Sequence, residues 1–309
     1  MRPMSDHVRH HYIPQFILRN FSSEQGYFTF YDKALNKITL KQPKDVFVIP
    51  NLYKNEALLD PMETEIDLAK YEGEISSIIK EFLTKKEIEL SSKDLDSLLL
   101  FLAIMSFRSK RVSDAFGNKA TKQSKEFYGS YTKDGNIHDF WNKNLRKLAK
   151  HRSLQAVLGD PEIDEPIKAF MMRDTRGMLG FGLFPVVVER RGKYDFLLCD
   201  TYPTIMTGTG PNSLEIPLYE FFPLSPERML ILISADIQLY HPDLRPFGED
   251  ITRMPQISSS AESLTIKVRK FYEKEVRFVN AMALEGLQFG AVIKTPQRIK
   301  FETSWRDIL

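Results

Sequence analysis

The chain is poor in three things, each of which would have fixed a class of protein. Cys199 is its one cysteine among 309 residues, which excludes an internal disulfide framework and fits a reducing compartment. It has almost no charge excess: 43 Lys and Arg face 41 Asp and Glu, so no global basic field argues for nucleic acid. It has no long apolar run; the densest, Leu95 to Phe107, is shorter than the ~20 residues a bilayer span requires. Met1 to Arg9 is polar, without the apolar stretch of a signal peptide. The expectation is a soluble, cytoplasmic protein with no membrane partner.

Motifs for common chemistries are missing as well. The sequence carries no Walker A loop, no paired Cys-x-x-Cys, no His-Glu-x-x-His and no Gly-x-Ser-x-Gly. Nucleotide hydrolysis, structural zinc, zincin proteolysis and serine hydrolysis of the usual kinds are therefore disfavoured. The glycine-rich stretch Gly177 to Gly182 follows a predicted helix and leads into a predicted strand, the reverse of a phosphate-cradling loop.

What is present suffices for a core: 42% of residues are hydrophobic, so the chain needs no staples. Tyr27–Asp32 and Lys37–Lys41 read as a hairpin turned by Lys33 to Asn36, and Val46 to Ile49 as a third strand ending at Pro50. Asp60-Pro61-Met62-Glu63 reads as a helix start with Asp60 as cap and Pro61 at the first helical position. That helix runs to about Leu83, with Leu68, Tyr71, Ile75, Ile78, Ile79 and Phe82 as its apolar stripe. A second, mostly buried helix runs from Ser91 or Ser92 to about Lys110. Further helices are predicted over 121–131, 137–158 and 166–179.

From Leu183 onward short β-rich runs take over: 184–190, 194–199, 204–206, 215–218 and 229–234. A long amphipathic helix is predicted over 261–285, then a last strand over 289–294. The class is α+β: a small N-terminal β element, a helical middle and a C-terminal β-rich lobe closed by a long helix. One unit of two lobes is expected, 1–180 and 181–309.

Charge is segregated along the chain. Glu56 to Asp96 holds twelve acidic and five basic residues; Arg108 to Ser153 holds twelve basic and four acidic ones, interleaved with Phe116, Phe127, Tyr128, Tyr131, Phe140 and Trp141. Such segments either pack against each other, or the basic aromatic one (108–153) tracks a nucleic-acid backbone with rings free to stack.

The densest cluster of reactive groups lies in His10-His11-Tyr12-Ile13-Pro14-Gln15-Phe16-Ile17-Leu18-Arg19-Asn20-Phe21. Pro14 biases Ile13 away from helix, so the stretch is extended and His10 and His11 point to opposite faces. One imidazole would then face a cleft as metal ligand or general base; alternatively the segment is a clasp with Tyr12, Phe16 and Phe21 as pegs. Tyr12, Gln15 and Arg19 are candidate binding groups beside it, as are Glu65 and Arg111. Glu65 and Glu72 fall three before and four after Leu68, on the buried stripe, where a carboxylate must be paired, protonated or cation-bound. Their Cα atoms would lie ~10.5 Å apart along the axis, too far for both to bind one metal directly. Arg108, at the end of the buried helix, would hold a phosphate or carboxylate in a bidentate grip or complement the helix dipole. Asp200 follows the apolar run Phe196 to Cys199, a frequent place for a functional carboxylate and for a turn.

These pieces resemble the family called domain of unknown function 4238. The likeness rests on HHYIPQFILRNF, NLYKNEAL, EIDLAKYE, Arg108 in SFRSKR, Asp200 and Pro203 in CDTYP, Leu224-Ser225-Pro226, and VNAMALEGLQFGAVI. The family's His-Tyr-Val/Ile-Pro core corresponds to His11 through Pro14, which favours His11 over His10. Its Asp-x-Pro motif is one residue longer here, so Asp200 corresponds more securely than Pro203. The resemblance implies a bacterial or phage-type soluble protein and no particular activity.

Two functions are consistent with the sequence. One is a metal-dependent hydrolase of phosphodiester or nucleic-acid substrates, with His11, Asp200 and Glu72 as ligands or acid-base groups of a divalent metal and Arg108 as phosphate clamp. The other is a non-catalytic binding protein in which the leader is a structural clasp.

Overall fold

The computed structural model describes residues 9–53, 62–132, 134–176, 183–209, 215–234, 237, 247–248 and 263–295. It is a mixed α+β architecture of helices and several small sheets.

The helical layer is built on α2 (Glu63–Thr84) and α3 (Ser92–Phe107). The predicted stripe of α2 is the buried one, with Leu68, Tyr71, Ile75, Ile79 and Phe82 inside and Ile78 half-buried. Every residue of α3 from Leu98 to Phe107 is buried, as an all-round apolar helix must be. The Ser91 hydroxyl caps α3 by accepting the Asp94 N–H at 3.1 Å. The helix start expected at Asp60 and Pro61 lies outside the described residues.

Three helix expectations need correction. The second helix ends at Phe107 rather than Lys110, because Ser109 caps a new short helix, α4 (Lys110–Ala115), with its hydroxyl accepting from Val112. The helix expected over 137–158 is two, α6 (Ile137–Leu148) and α7 (Leu154–Gly159), the second capped by Ser153. Between α4 and α6 lies α5 (Lys122–Gly129), and α8 (Glu165–Arg176) follows α7. The long helix expected over 261–285 begins only with α9 (Glu273–Glu285). Before it run β11 (Ser263–Lys267) and β12 (Arg269–Phe271). The reason is tertiary: β11 pairs antiparallel with β5 (Glu87–Ser91), a strand the sequence reading did not find, setting Leu264 opposite Leu90 and Ile266 opposite Ile88. Both segments alternate apolar and polar residues over five positions, and each needs the other to bury its inner face.

The central sheet has the order β12, β6 (Leu183–Arg190), β10 (Arg228–Ser234), β9 (Glu215–Pro223), β8 (Thr204–Thr209). Its pairs are antiparallel except β12 with β6. β10 is buried throughout. Arg228 on that strand donates to the carbonyls of Phe82 and Lys85, satisfying orphan acceptors at the C-terminus of α2 and tying helix to sheet.

A second sheet has the order β3 (Lys37–Lys41), β2 (Phe28–Asp32), β13 (Gly290–Ile293), β7 (Leu198–Cys199). The predicted hairpin is there; the run 194–199 contributes only two strand residues. The third strand expected after the hairpin is β4 (Val48–Pro50), but it pairs with β1 (Arg9–His11), not with β2 or β3. The last strand inserts beside the first hairpin, so two sheets cross the lobe boundary expected at residue 180.

Candidate functional site

The leader is extended over β1 and then turns at Pro14 into α1 (Gln15–Asn20). As the alternation of an extended chain requires, its two imidazoles part ways. The His10 ring stacks on Tyr53, centroids 5.2 Å apart, and its Nδ1 accepts the Tyr53 N–H at 2.8 Å. The proton of this neutral ring therefore sits on Nε2, which is buried without a partner. Burial, and next the neighbouring His11, pushes the His10 pKa down to about 4.

His11 faces the other way. Its Nε2 donates to the Pro43 carbonyl at 3.0 Å, and its Nδ1 accepts from the Gln15 amide at 3.2 Å. Gln15 is oriented in turn by Arg19, which donates to its carbonyl at 3.2 Å. Burial lowers the His11 pKa, the Pro43 hydrogen bond opposes this, and Arg108, Arg9 and Arg19 add to the lowering. Tyr12 is buried edge-on against Phe47, and its phenol pKa is raised first by burial, then by Asp200 and Asp114.

Arg108 lies one residue past α3 and is 1% exposed. Its Nη2 pairs with Glu72 at 2.8 Å, while Nε and Nη2 reach the carbonyls of Tyr12 and His11 at 3.4 and 3.5 Å. The Tyr53 hydroxyl also donates to the His11 carbonyl, at 3.3 Å. Glu72 thus holds the guanidinium and the guanidinium holds the leader's backbone. Burial raises the Glu72 pKa and Arg108 pulls it back. Glu65 is pushed up to about 7 by burial, with Arg108 opposing and Glu72 adding to the rise.

Asp200 stands apart from this cluster in its bonding. Its carboxylate accepts the backbone N–H groups of Gln288, at 3.2 Å to each oxygen, and of Phe289. Its own N–H donates to the Gly290 carbonyl at 3.2 Å. It therefore stitches the turn after β7 to the turn between α9 and β13. Burial raises its pKa and the Phe289, Gln288 and Gly290 amides oppose this. Among the described residues no three His, Cys, Asp or Glu side chains are grouped so as to hold a metal ion.

Beside Asp200 opens a cavity of about 310 Å³. The break between α3 and α4 supplies Ser106, Ser109, Lys110 and Arg111; the turn into β8 supplies Asp200, Thr201 and Thr204; Gly286 and Gln288 close it from the α9 end. The break that shortens α3 is what sets Arg108 inward and Arg111 on the cavity wall. The Lys110 ammonium is held by Asp114 and lies 5.1 Å from the centre of the Phe289 ring. Sequence reasoning named Arg111 and Asp200 but missed Ser106, Lys110, Thr201 and Gln288. The signal for these was their position: SFRSKR, CDTYP and VNAMALEGLQFGAVI, distant in sequence, supply nearly the whole wall.

The basic aromatic segment faces mostly inward. Phe116, Phe140 and Trp141 are buried, whereas Phe127 and Tyr131 are exposed. Four of its cations pair with the acidic segment: Arg146 and Lys150 with Glu63, Arg152 with Glu74 and Arg108 with Glu72. The two oppositely charged segments pack against each other across α2 and α6.

Fold and site together define an α+β protein whose buried N-terminal leader is bonded to Arg108, with a cavity of mixed lining beside Asp200. The chain belongs to the family described as Protein of unknown function (DUF4238), which matches residues 9–286. Nothing among curated proteins or solved structures matches it. Among the described residues no helix is long and apolar enough to cross a membrane.

Proposed function

We propose that this protein is a non-catalytic binding protein whose His-Tyr-Ile-Pro leader is a structural clasp. One observation carries the reading: the polar groups of His11 and the backbone carbonyls beside it are engaged within the protein. Both His11 nitrogens have partners, in Pro43 and Gln15, and the His11 and Tyr12 carbonyls are held by Arg108 and Tyr53. A general base or metal ligand needs a lone pair free to meet substrate or metal. On His11 that lone pair is Nδ1, and it takes the Gln15 amide. The binding surface is then the cavity beside Asp200.

A metal-dependent hydrolase of phosphodiester or nucleic-acid substrates, with His11, Asp200 and Glu72 as ligands and Arg108 as clamp, draws less support. His11 and Asp200 are engaged by separate partners, Glu72 and Arg108 are paired with each other, and Arg108 is sealed behind the leader. The exposed Phe127 and Tyr131 are what favour a nucleic-acid partner, against the pairing of most nearby cations.

The test is the pair His11→Ala and Asp200→Ala, compared with the parent for melting temperature, divalent-metal binding and nuclease activity. The binding reading expects no nuclease activity in the parent and a lowered melting temperature in both variants. Activity in the parent that disappears in variants of unchanged melting temperature would overturn it.

A further inference from the structure

We infer that the cavity between the α3–α4 break and the Asp200 turn binds a small hydroxylated phosphomonoester. The inference rests on the binding reading above and names the ligand's chemistry.

Ser106 supplies the first observation. It is 4% exposed, it lines the cavity, and its hydroxyl has no hydrogen-bond partner. Buried hydroxyls are almost always satisfied, so one left open on a cavity wall points to a ligand atom as its partner. Arg111 supplies the second. It is exposed at the cavity and forms no ion pair among the described residues, unlike its neighbours Arg108 and Lys110.

Chemistry then selects the ligand. Lys110 and Arg111 bring two cations to one wall, and Arg111 offers the planar fork that grips an oxyanion. The Ser106 hydroxyl adds a further donor, and the Thr201–Thr204 hydroxyl pair, 3.3 Å apart with Thr201 also 3.5 Å from the Ala283 carbonyl, adds at most one more. A tetrahedral phosphate, with more acceptor oxygens than a carboxylate, uses such a set most fully. Asp200 sets the remainder of the ligand. Its carboxylate repels a second anion, yet it retains lone pairs beyond the three backbone N–H bonds it accepts, and these suit a ligand hydroxyl. A volume of about 310 Å³ fits a small metabolite and not a polymer.

Calorimetric titration of the full chain with glycerol 1-phosphate, inorganic phosphate, glycerol and glycerate tests this. The ester should bind at least tenfold tighter than glycerol. Arg111→Ala should weaken it by roughly tenfold to a hundredfold, as loss of a charged hydrogen bond does. Ser106→Ala should weaken it by a smaller factor, and Lys122→Ala, on an exposed ion pair with Glu126, should leave it unchanged. The site assignment is overturned if the parent binds neither phosphate nor the ester, or if Arg111→Ala keeps the parent's affinity. Glycerate binding as tightly as the ester overturns the phosphate; inorganic phosphate doing so overturns the hydroxylated remainder. The clasp is judged separately, by the melting of the His11 variant without ligand, so either idea can fail alone.

Discussion

Arg108 and Arg111 are three residues apart in one basic hexapeptide, yet they inhabit opposite environments. Arg108 is sealed, paired with Glu72 and bonded to two leader carbonyls. Arg111 stands in the open at the cavity with no ion pair among the described residues. The same contrast divides the polar groups around them: in the clasp they are mostly turned on each other, while the cavity retains unused capacity at Ser106 and Arg111. Saturation, rather than residue type, separates a polar cluster that holds the fold from one that can receive a ligand. The Ser109 cap that breaks the helix creates both regions at once.

The largest expected effect lies on the sealed side. Arg108→Ala leaves the half-buried Glu72 carboxylate and the Tyr12 carbonyl without this donor and the His11 carbonyl with Tyr53 alone, and should cost about 3–5 kcal/mol. Arg111→Ala should stay within about 0.5 kcal/mol of the parent, as surface substitutions do. Urea denaturation of both checks the contrast, and equal losses would erase it.

The sealed side should also answer to pH. The folded pKa of Glu65, about 7, lies above its ordinary 4.5. Folded protein therefore binds more protons than unfolded between those values, and the stability Glu65 contributes in acid is lost as pH rises through 7. His10 runs the other way: its pKa falls from 6.5 to about 4, so stability is lost as pH drops through that window. The two oppose each other between pH 4.5 and 6.5. Glu65→Gln removes one arm and should make the variant gain on the parent by up to about 3 kcal/mol from pH 4.5 to 7. A pH-independent difference between them in urea melts would contradict this.

Gly290 tests the frame that carries the cavity. A Cβ there would overlap the Phe30 ring and the Tyr31 carbonyl where β13 enters beside β2. Gly290→Ala should cost roughly 1–3 kcal/mol through overpacking. Because Asp200 bonds to the residues just before this strand, the substitution should also weaken ligand binding at the cavity. Parent-like melting would show that the strand can shift freely.

Much of this frame was legible where local pattern and tertiary demand agree. The α2 stripe buries the residues its periodicity selects, and the first hairpin and the last strand form where their apolar runs place them, although Ile38 and Leu40 of β3 stay exposed. β5 and β11 were not legible, because five alternating residues such as Glu87 to Ser91 carry little weight until their partner strand Ser263–Lys267, far along the chain, is known. Ser109 and Ser153 were available as caps, but the apolar pattern on both sides of them hid the breaks. At the site, His11, Glu72, Arg108 and Asp200 stood out by residue type. Which of them is saturated is a matter of hydrogen bonds between Pro43, Gln15 and distant backbone, and no spacing rule contains that. Ser106 carried no signal of its own; the motif around Arg108 held it.

The smallest expected effect has the opposite sign and is the sharpest test of the comparison. Ser106 and Ser109 flank the helix break, and both line the cavity. Ser109 has a task in the fold, accepting the Val112 N–H, and its loss as Ser109→Ala should cost about 1 kcal/mol as helix caps do. The Ser106 hydroxyl is buried without a partner, and an unsatisfied polar group costs about 1–3 kcal/mol of desolvation. Ser106→Ala should therefore leave stability unchanged or raise it by about 1 kcal/mol, with a higher melting temperature, while weakening the ester. Stability surrendered at a group that binds is the trade expected of a functional site. A clear loss of stability in Ser106→Ala would mean that its hydroxyl already has a partner in solution, and the distinction between the saturated clasp and the receptive cavity would no longer hold at that wall.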